Sequence, residues 1–497
     1  MKNLLQTIAI TSSLLLVTPT LAAEVTDAGA SQLRQTFERY LGKAAEGQPA
    51  RVAVTVEGGA YRVAIDAKGI ADAIVAFWSK APVPISLSAT PFAIMTTPLD
   101  DGTWKVAQTG DFRVTYSIGS QSGTFEEKGI AYEGIYDPTL FAFRSQRYTL
   151  ASLESQSKVP PDNSSQSTTK DLSATGTATA GPNGTVDAHI VSTTGTTTQT
   201  IALPRPAIAD GPSTSFLIES KVADRKADFD LKAMRSVELA DLLAHVVAHP
   251  PQDMTADDQA ALKARIAAVL PLFDQFTWYE TWGVTTLQSP VGQGTARSME
   301  STVKLVNTAG ANSMDLTLKA NGVKIDSIFV PAEAASLLPT DLDVGFAFHG
   351  YDIASGLSKL LDTADFSKTE IIAKDKLPAL LEAWLPQGTL VYDLKPSKIV
   401  AASYSIGWFG IVEVQPMHAK AHLDVTATGI DAVIHAIQQL KQPSIASLTV
   451  VLYGAKALAK PGADGALTWA IDVVSDHGNT SFLVNGLPVG PQKKQSL

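Results

Sequence analysis

The stretch Leu342–Ala364, LDVGFAFHGYDIASGLSKLLDTA, changes its period in the middle. Leu342, Val344, Phe346 and Phe348 alternate with Asp343, Gly345, Ala347 and His349, the pattern of a strand with one apolar face. After Gly350, residues Ile353, Leu357, Leu360, Leu361 and Ala364 fall on one stripe of a helix. A strand that breaks at glycine and runs into an amphipathic helix supplies a sheet and the helix that covers it. The same unit recurs at Ala60–Trp78 around Gly69, with Tyr61, Val63 and Ile65 in the strand and Ile70, Ala73, Ile74, Phe77 and Trp78 in the helix. It recurs again at Ala421–Leu440 around Gly429, with Leu423, Val425 and Ala427, then Ile430, Val433, Ile434, Ile437 and Leu440. A looser copy spans Asp228–Val247, its stripe being Leu239, Leu242, Leu243, Val246 and Val247.

These units predict an α+β fold: a large, mainly antiparallel, meandering β-sheet covered on one face by amphipathic helices, in two diverged, similar halves. Residues 28–46 read as a helix on the stripe Leu33, Phe37, Tyr40 and Leu41. From Ile85 to Leu203, short alternating runs broken by turn signals read as a meander. Residues 155–200 are rich in Ser, Thr and Gly, which suits a linker. Alternating Thr175, Thr177 and Thr179 and the turn Gly181-Pro182-Asn183-Gly184 favour strands, with residues 158–168 as a mobile loop. Ser236 is expected to cap a helix that ends at His249-Pro250-Pro251, and the proline pair marks the boundary between halves 24–251 and 252–497. The second half reads as a helix from Thr255 to about Phe276, a meander to Phe329, the opening unit, a helix at Asp375–Trp384 and strands to Thr428. Ser444–Lys460 reads as a helix or a helix mixed with a strand, and a hairpin closes the chain.

Lys2, the uncharged run Leu4–Val17 and the small residues before Glu24 form a signal peptide, 1–23, with cleavage near Ala22 or Ala23. No later stretch is long and apolar enough to predict a transmembrane segment. The chain holds no cysteine, so neither a disulfide nor a lipid-anchored cysteine is available. Its formal charge is −10, and loss of Lys2 makes it −11. An acidic chain without a Lys/Arg block is not a nucleic-acid binder. Export, absent cysteine and plentiful Thr, Ser and Val predict a β-rich protein of the periplasm.

Chemistry-bearing patterns are weak. His245 and His249 lie four apart on a helix without the glutamate of a zinc protease, and they read as a solvated helix end. His418 and His422 sit on a strand, roughly 13 Å apart, too far for one ion unless a third element bends in. No metal or cofactor is therefore expected. Ser301-Thr302-Val303-Lys304 matches S-x-x-K but lies in mid-strand, and no G-x-S-x-G is present. Trp278 and Trp282 share a strand face around Glu280 and read as core, or as one wall of an apolar groove with Phe346 and Phe348.

The leader, the strand–Gly–helix units and the ending Ser481-Phe482-Leu483-Val484-Asn485-Gly486-Leu487-Pro488 resemble exported proteobacterial families of unknown function, whose members also end in a strand with an Asn-Gly pair. More remotely, repeated strand–helix units on a long sheet are similar to the AsmA-like envelope proteins, which are usually membrane-anchored and often longer. That resemblance implies association with lipid movement and supplies no catalytic residue. The expected function is non-catalytic binding of a lipid or other apolar ligand in the cell envelope. The alternatives are an envelope scaffold that binds another protein, or a hydrolase of an envelope polymer with two converging carboxylates.

Overall fold

The computed structural model describes residues 24–44, 46–69, 71, 84–160, 163–204, 216–249, 255–308, 311–364, 372–440, 443–462, 465–477 and 479–489. The signal peptide and the helical residues Ile70, Ala73, Ile74, Phe77 and Trp78 lie outside them. The chain divides into two compact units that meet at Asp274 and Gln275, and both are mostly antiparallel sheet with helices. The sequence placed the division at Pro251.

The first unit begins with helix α1 (Asp27–Leu41), capped by the Thr26 hydroxyl, which accepts from the Gly29 N–H at 3.1 Å. Gly29 is required there, because a Cβ would run into the Tyr61 hydroxyl. Strands β1 (Val52–Glu57), β2 (Ala60–Ile65), β3 (Ile85–Ala89), β4 (Phe92–Pro98), β5 (Trp104–Ile118) and β6 (Gln121–Asp137) follow. They continue into β7 (Ala142–Val159), β8 (Asn163–Ala180), β9 (Val186–Leu203) and β10 (Phe216–Met234). β1, β2, β4, β5 and then β6 to β10 pair in that order, while β3 covers the second half of the same edge of β5. The Ser/Thr-rich segment thus forms the end of β7 and the long strands β8 and β9, and the expected loop at 158–168 is strand up to Val159 and again from Asn163. Threonine hydroxyls pair across them, as Thr169 and Thr197 do at 3.0 Å.

Leu33 and Phe37 of α1 and Val52, Tyr61, Val63 and Ile65 of the sheet are all buried, with Trp104 and Tyr136 beside them. This is the predicted alternation, and fully burying each such side chain stabilises by about 1.5–3 kcal/mol. Helix α2 (Ser236–Ala248) has its buried face turned by roughly a third of a turn from the expected stripe. Its buried face is Ser236, Ala240, Ala244 and His245, and Ala240 and Ala244 meet Tyr40 and Phe141. Leu239 and Leu243 are each 41 % exposed. Small residues let the helix approach two aromatic rings closely, and that gain outweighs leaving leucines in water. Ser236 does not cap; its hydroxyl donates to the Leu140 carbonyl at 2.6 Å. Helix α3 (Ala256–Val269) starts at a reciprocal capping box between Thr255 and Asp258 and stops before Pro271, short of the expected Phe276. His245 is also no solvated end: it is buried, its ring stacks on His249 at 4.4 Å, and its Nε2 lies 3.3 Å from the Asp258 carbonyl oxygen.

The second unit contains β11 (Gln275–Trp282), β12 (Thr285–Ser289), β13 (Gly292–Ala296), β14 (Ser298–Thr308), β15 (Ala311–Asn321), β16 (Lys324–Ser327) and β17 (Pro339–Tyr351). Helices α4 (Ile353–Thr363) and α5 (Leu377–Trp384) come next, then β18 (Leu390–Ala401), β19 (Ser405–Gln415) and β20 (His418–Thr428). Helices α6 (Ile430–Gln439) and α7 (Pro443–Leu458), β21 (Lys460–Pro461), β22 (Leu467–Asp476), β23 (Asn479–Val484) and β24 (Leu487–Pro488) complete it. The segment Leu448–Tyr453 is helical throughout.

The two strand–helix units around Gly350 and Gly429 sit where the sequence put them. Gly429, at φ 77°, joins β20 to α6, and a side chain there would strike the Ser403 carbonyl. Gly350 closes on the Thr389 backbone one residue before β17 ends, and Asp352 caps α4 by accepting from the Ser355 N–H at 3.0 Å. Leu361 and Ile434 are buried, whereas Leu357, Leu360 and Ile437 are half-buried. Among the described residues no helix is long and apolar enough to cross a membrane.

Candidate apolar binding face

Residues directly opposite each other in an antiparallel pair project to the same face of the sheet. In the second unit the register therefore strings side chains from different strands into rows. One row runs Trp278, Val303, Leu316, Phe346, Leu394, then past Gly410 to Leu423, Ile471 and Val484. A second runs Phe276, Leu305, Met314, Phe348, Tyr392, Val412, Ala421, Val473 and Phe482. A third runs Trp282, Met299, Ala320, Leu342, Ile399, Ile406, Ala427 and Leu467. All three lie on one face: they step by even numbers along every strand but β18, where the bulge between Leu394 and Ser397 takes up the odd step from Leu394 to Ile399.

The four residues singled out by sequence lie on this face. Phe346 and Phe348 are in edge contact, with ring centroids 5.2 Å apart, and Phe348 meets Tyr392 at 4.7 Å. Trp278 and Phe346 share a row but not a contact: β14 and β15 stand between them, which puts them roughly 14 Å apart at the usual strand spacing. Trp282 belongs to the third row. Glu280, between the two tryptophans on β11, is 3 % exposed. The Trp278 indole N–H is buried and meets no acceptor among the described residues.

Burial separates the two units. Among the described residues of the second, the buried apolar side chains are alanines plus Leu361 and Ile434. The large residues of the middle row, Trp278, Val303, Leu316, Phe346, Leu394, Leu423 and Ile471, are each half-buried. Helix α7 reaches this face at one end, where its Ala455 carbonyl accepts from the Trp469 indole at 2.7 Å. Asn485, at φ 52° in the closing turn, donates to the Leu458 carbonyl at 2.7 Å and fixes β23 to the end of α7. That bond gives the Asn-Gly pair a structural task.

The opposite face carries the ion pairs, beside the exposed Tyr279, Phe409, Ile411 and Val474. Lys319 meets Asp343 at 3.2 Å, His349 meets Asp393 at 3.0 Å, and Lys395 bridges to Asp315. His422 lies between Asp472 at 2.7 Å and Asp424 at 3.2 Å. The hydrogen bond to Asp472, with Asp424 adding to it, raises the His422 pKa above its ordinary value. Such exposed pairs fix which face meets water more than they stabilise.

Catalytic geometry is thin. Ser301 and Lys304 are three residues apart on β14 and so point to opposite faces, which breaks the S-x-x-K pairing. In the first unit, burial pushes the Glu127 carboxyl up to about 7, partly offset by the Tyr148 hydroxyl. No second carboxylate contributes to that shift.

Sequence reading singled out Trp278, Trp282, Phe346 and Phe348 and did not join to them the aromatic Phe276, Tyr392, Trp469 and Phe482 or the aliphatic Val303, Leu316, Leu394 and Ile471. Each alternates within its own strand, but only the register shows that they share a face. No family model matches the chain, and no curated protein and no solved structure matches it.

Proposed function

We propose that this chain is a non-catalytic protein of the Gram-negative cell envelope that holds a lipid or similar apolar ligand against the apolar face of its second unit. One observation carries the reading. Large apolar side chains line up across the sheet in rows interrupted only by Gly410 and three alanines, yet among the described residues most are only half-buried. Contiguous apolar surface of that extent is uncommon on a monomer unless something binds there. Exchanging water for an acyl chain is worth about 25 cal/mol per Å² of apolar area removed from water. The ion pairs lie on the opposite face, which leaves the apolar face free of charge pairs to compete with the ligand. The charge of −10 and the leader-like first residues fit a protein exported to the periplasm.

Extraction of protein purified from an envelope fraction, followed by mass spectrometry of the organic phase, tests this reading. A lipid recovered near one-to-one with protein supports it. A clean extract, together with no uptake on incubation with phospholipid or fatty acid, removes it.

A further inference from the structure

The hairpin turn between β19 and β20 and that between β22 and β23 lie at the same end of the sheet, because His418 and Asp476 are directly paired across β20 and β22. The His477 N–H donates to the Met417 carbonyl at 3.0 Å and ties the two turns together. His418 Nδ1 stands 2.9 Å from Asp476 Oδ1, as expected for side chains on one face. In extended backbone His477 would point the other way. Its φ of 47° turns it back, a conformation that β-carbon-bearing residues rarely adopt. Its Nδ1 then reaches the same Asp476 oxygen at 2.5 Å, and its ring stands edge-on to His418 with centroids 4.9 Å apart.

We propose that His418, Asp476 and His477 form a binding site for one Zn²⁺ ion, reached from solvent. The three donor atoms lie within 4.8 Å of one another. Tetrahedral Zn²⁺, with bonds of about 2.0–2.1 Å, needs donors roughly 3.3 Å apart, so the Asp476 oxygen has only to back away from the His418 and His477 nitrogens by roughly 0.4 and 0.8 Å. Two imidazole nitrogens and one carboxylate select a first-row transition ion over Ca²⁺ or Mg²⁺, which want oxygen donors. The side chains of His418, Asp476 and His477 are 46, 59 and 63 % exposed, which leaves the fourth position to water. His422, which the sequence set beside His418, takes no part in the site and pairs instead with Asp472 and Asp424. The group His189, Asp228 and Asp230 on β9 and β10 is also close-set, but one imidazole and two carboxylates suit Zn²⁺ less well. It serves as an internal control.

The test is calorimetric titration of untagged, chelator-treated full chain with ZnCl₂, and Cu²⁺ electron paramagnetic resonance of the same protein. The site predicts saturable Zn²⁺ binding that weakens at least about tenfold in both His418→Ala and His477→Ala and is unchanged in His189→Ala. It predicts Cu²⁺ nitrogen splittings from two imidazoles in the wild type and from one in His477→Ala. Circular dichroism of the metal-free variants confirms that the fold is kept. Absence of saturable binding overturns the proposal. So does affinity that survives both His418→Ala and His477→Ala, or that falls only in His189→Ala.

Discussion

The ring of Phe348 stands edge-on to that of Tyr392 across the β17–β18 pair, with centroids 4.7 Å apart and planes inclined at 75°. The contact anchors the second apolar row at the end of β17 from which α4 departs. Edge-to-face pairs contribute about 0.5–1.5 kcal/mol beyond the area they bury. Phe348→Ala is expected to lower stability by about 1–3 kcal/mol, less than the 3–5 of a fully buried phenylalanine. Urea unfolding checks it, and no measurable loss would mean that the pair holds nothing in place.

Leu361 and Leu360 are neighbours on α4, but Leu361 is 8 % exposed and Leu360 is only half-buried. Leu361→Ala is expected to cost about 2–5 kcal/mol, and Leu360→Ala distinctly less. Equal losses would contradict the orientation of the helix.

The turned face of α2 makes a prediction that hydropathy alone would not. Ala244→Leu is expected to destabilise by about 1–3 kcal/mol through overpacking against the Tyr40–Phe141 cluster. Leu243→Ser, at an exposed position, is expected to stay within about 0.5 kcal/mol of wild type. Thermal unfolding of the two variants distinguishes this packing from its reverse.

Glu127 supplies a pH signature. Its ordinary pKa of 4.5 is pushed up to about 7 by burial, so the folded chain keeps a proton that the unfolded chain releases. The stability this group contributes is fully present below about pH 4.5 and is lost as pH rises through about 7. Glu127→Gln, neutral throughout, is expected to match wild type near pH 4 and to exceed it at pH 8 by about 1–3 kcal/mol. Urea midpoints at the two pH values check the sign; a variant weaker than wild type at pH 8 would contradict it.

Strands and their alternation were legible in the sequence because a period of two leaves its mark residue by residue. Tyr61, Val63 and Ile65 were read as buried and are. The glycine at the start of α6 was legible for a similar reason: only a residue without a β-carbon tolerates φ 77° against the Ser403 carbonyl. The face of α2 was not legible. Which side of a helix turns inward depends on the shape of what it meets, and Tyr40 and Phe141 are distant in sequence. The apolar rows and the meeting of His418 with His477 depend on register between strands, which no single strand encodes. Trp278, Trp282, Phe346 and Phe348 were found because aromatics stand out; the aliphatic residues beside them do not.

The apolar face carries its own reporters, and quenching of tryptophan fluorescence by a nitroxide-labelled fatty acid tests its role most directly. Trp278, Trp282, Trp408 and Trp469 lie on it by register, whereas Trp104 is 3 % exposed in the first unit. Titration of the full chain is predicted to give saturable quenching, smaller in amplitude in Trp278→Phe with Trp282→Phe and unchanged in Trp104→Phe. Emission that does not change with the labelled acyl chain, or quenching that persists in full without Trp278 and Trp282, would contradict the account.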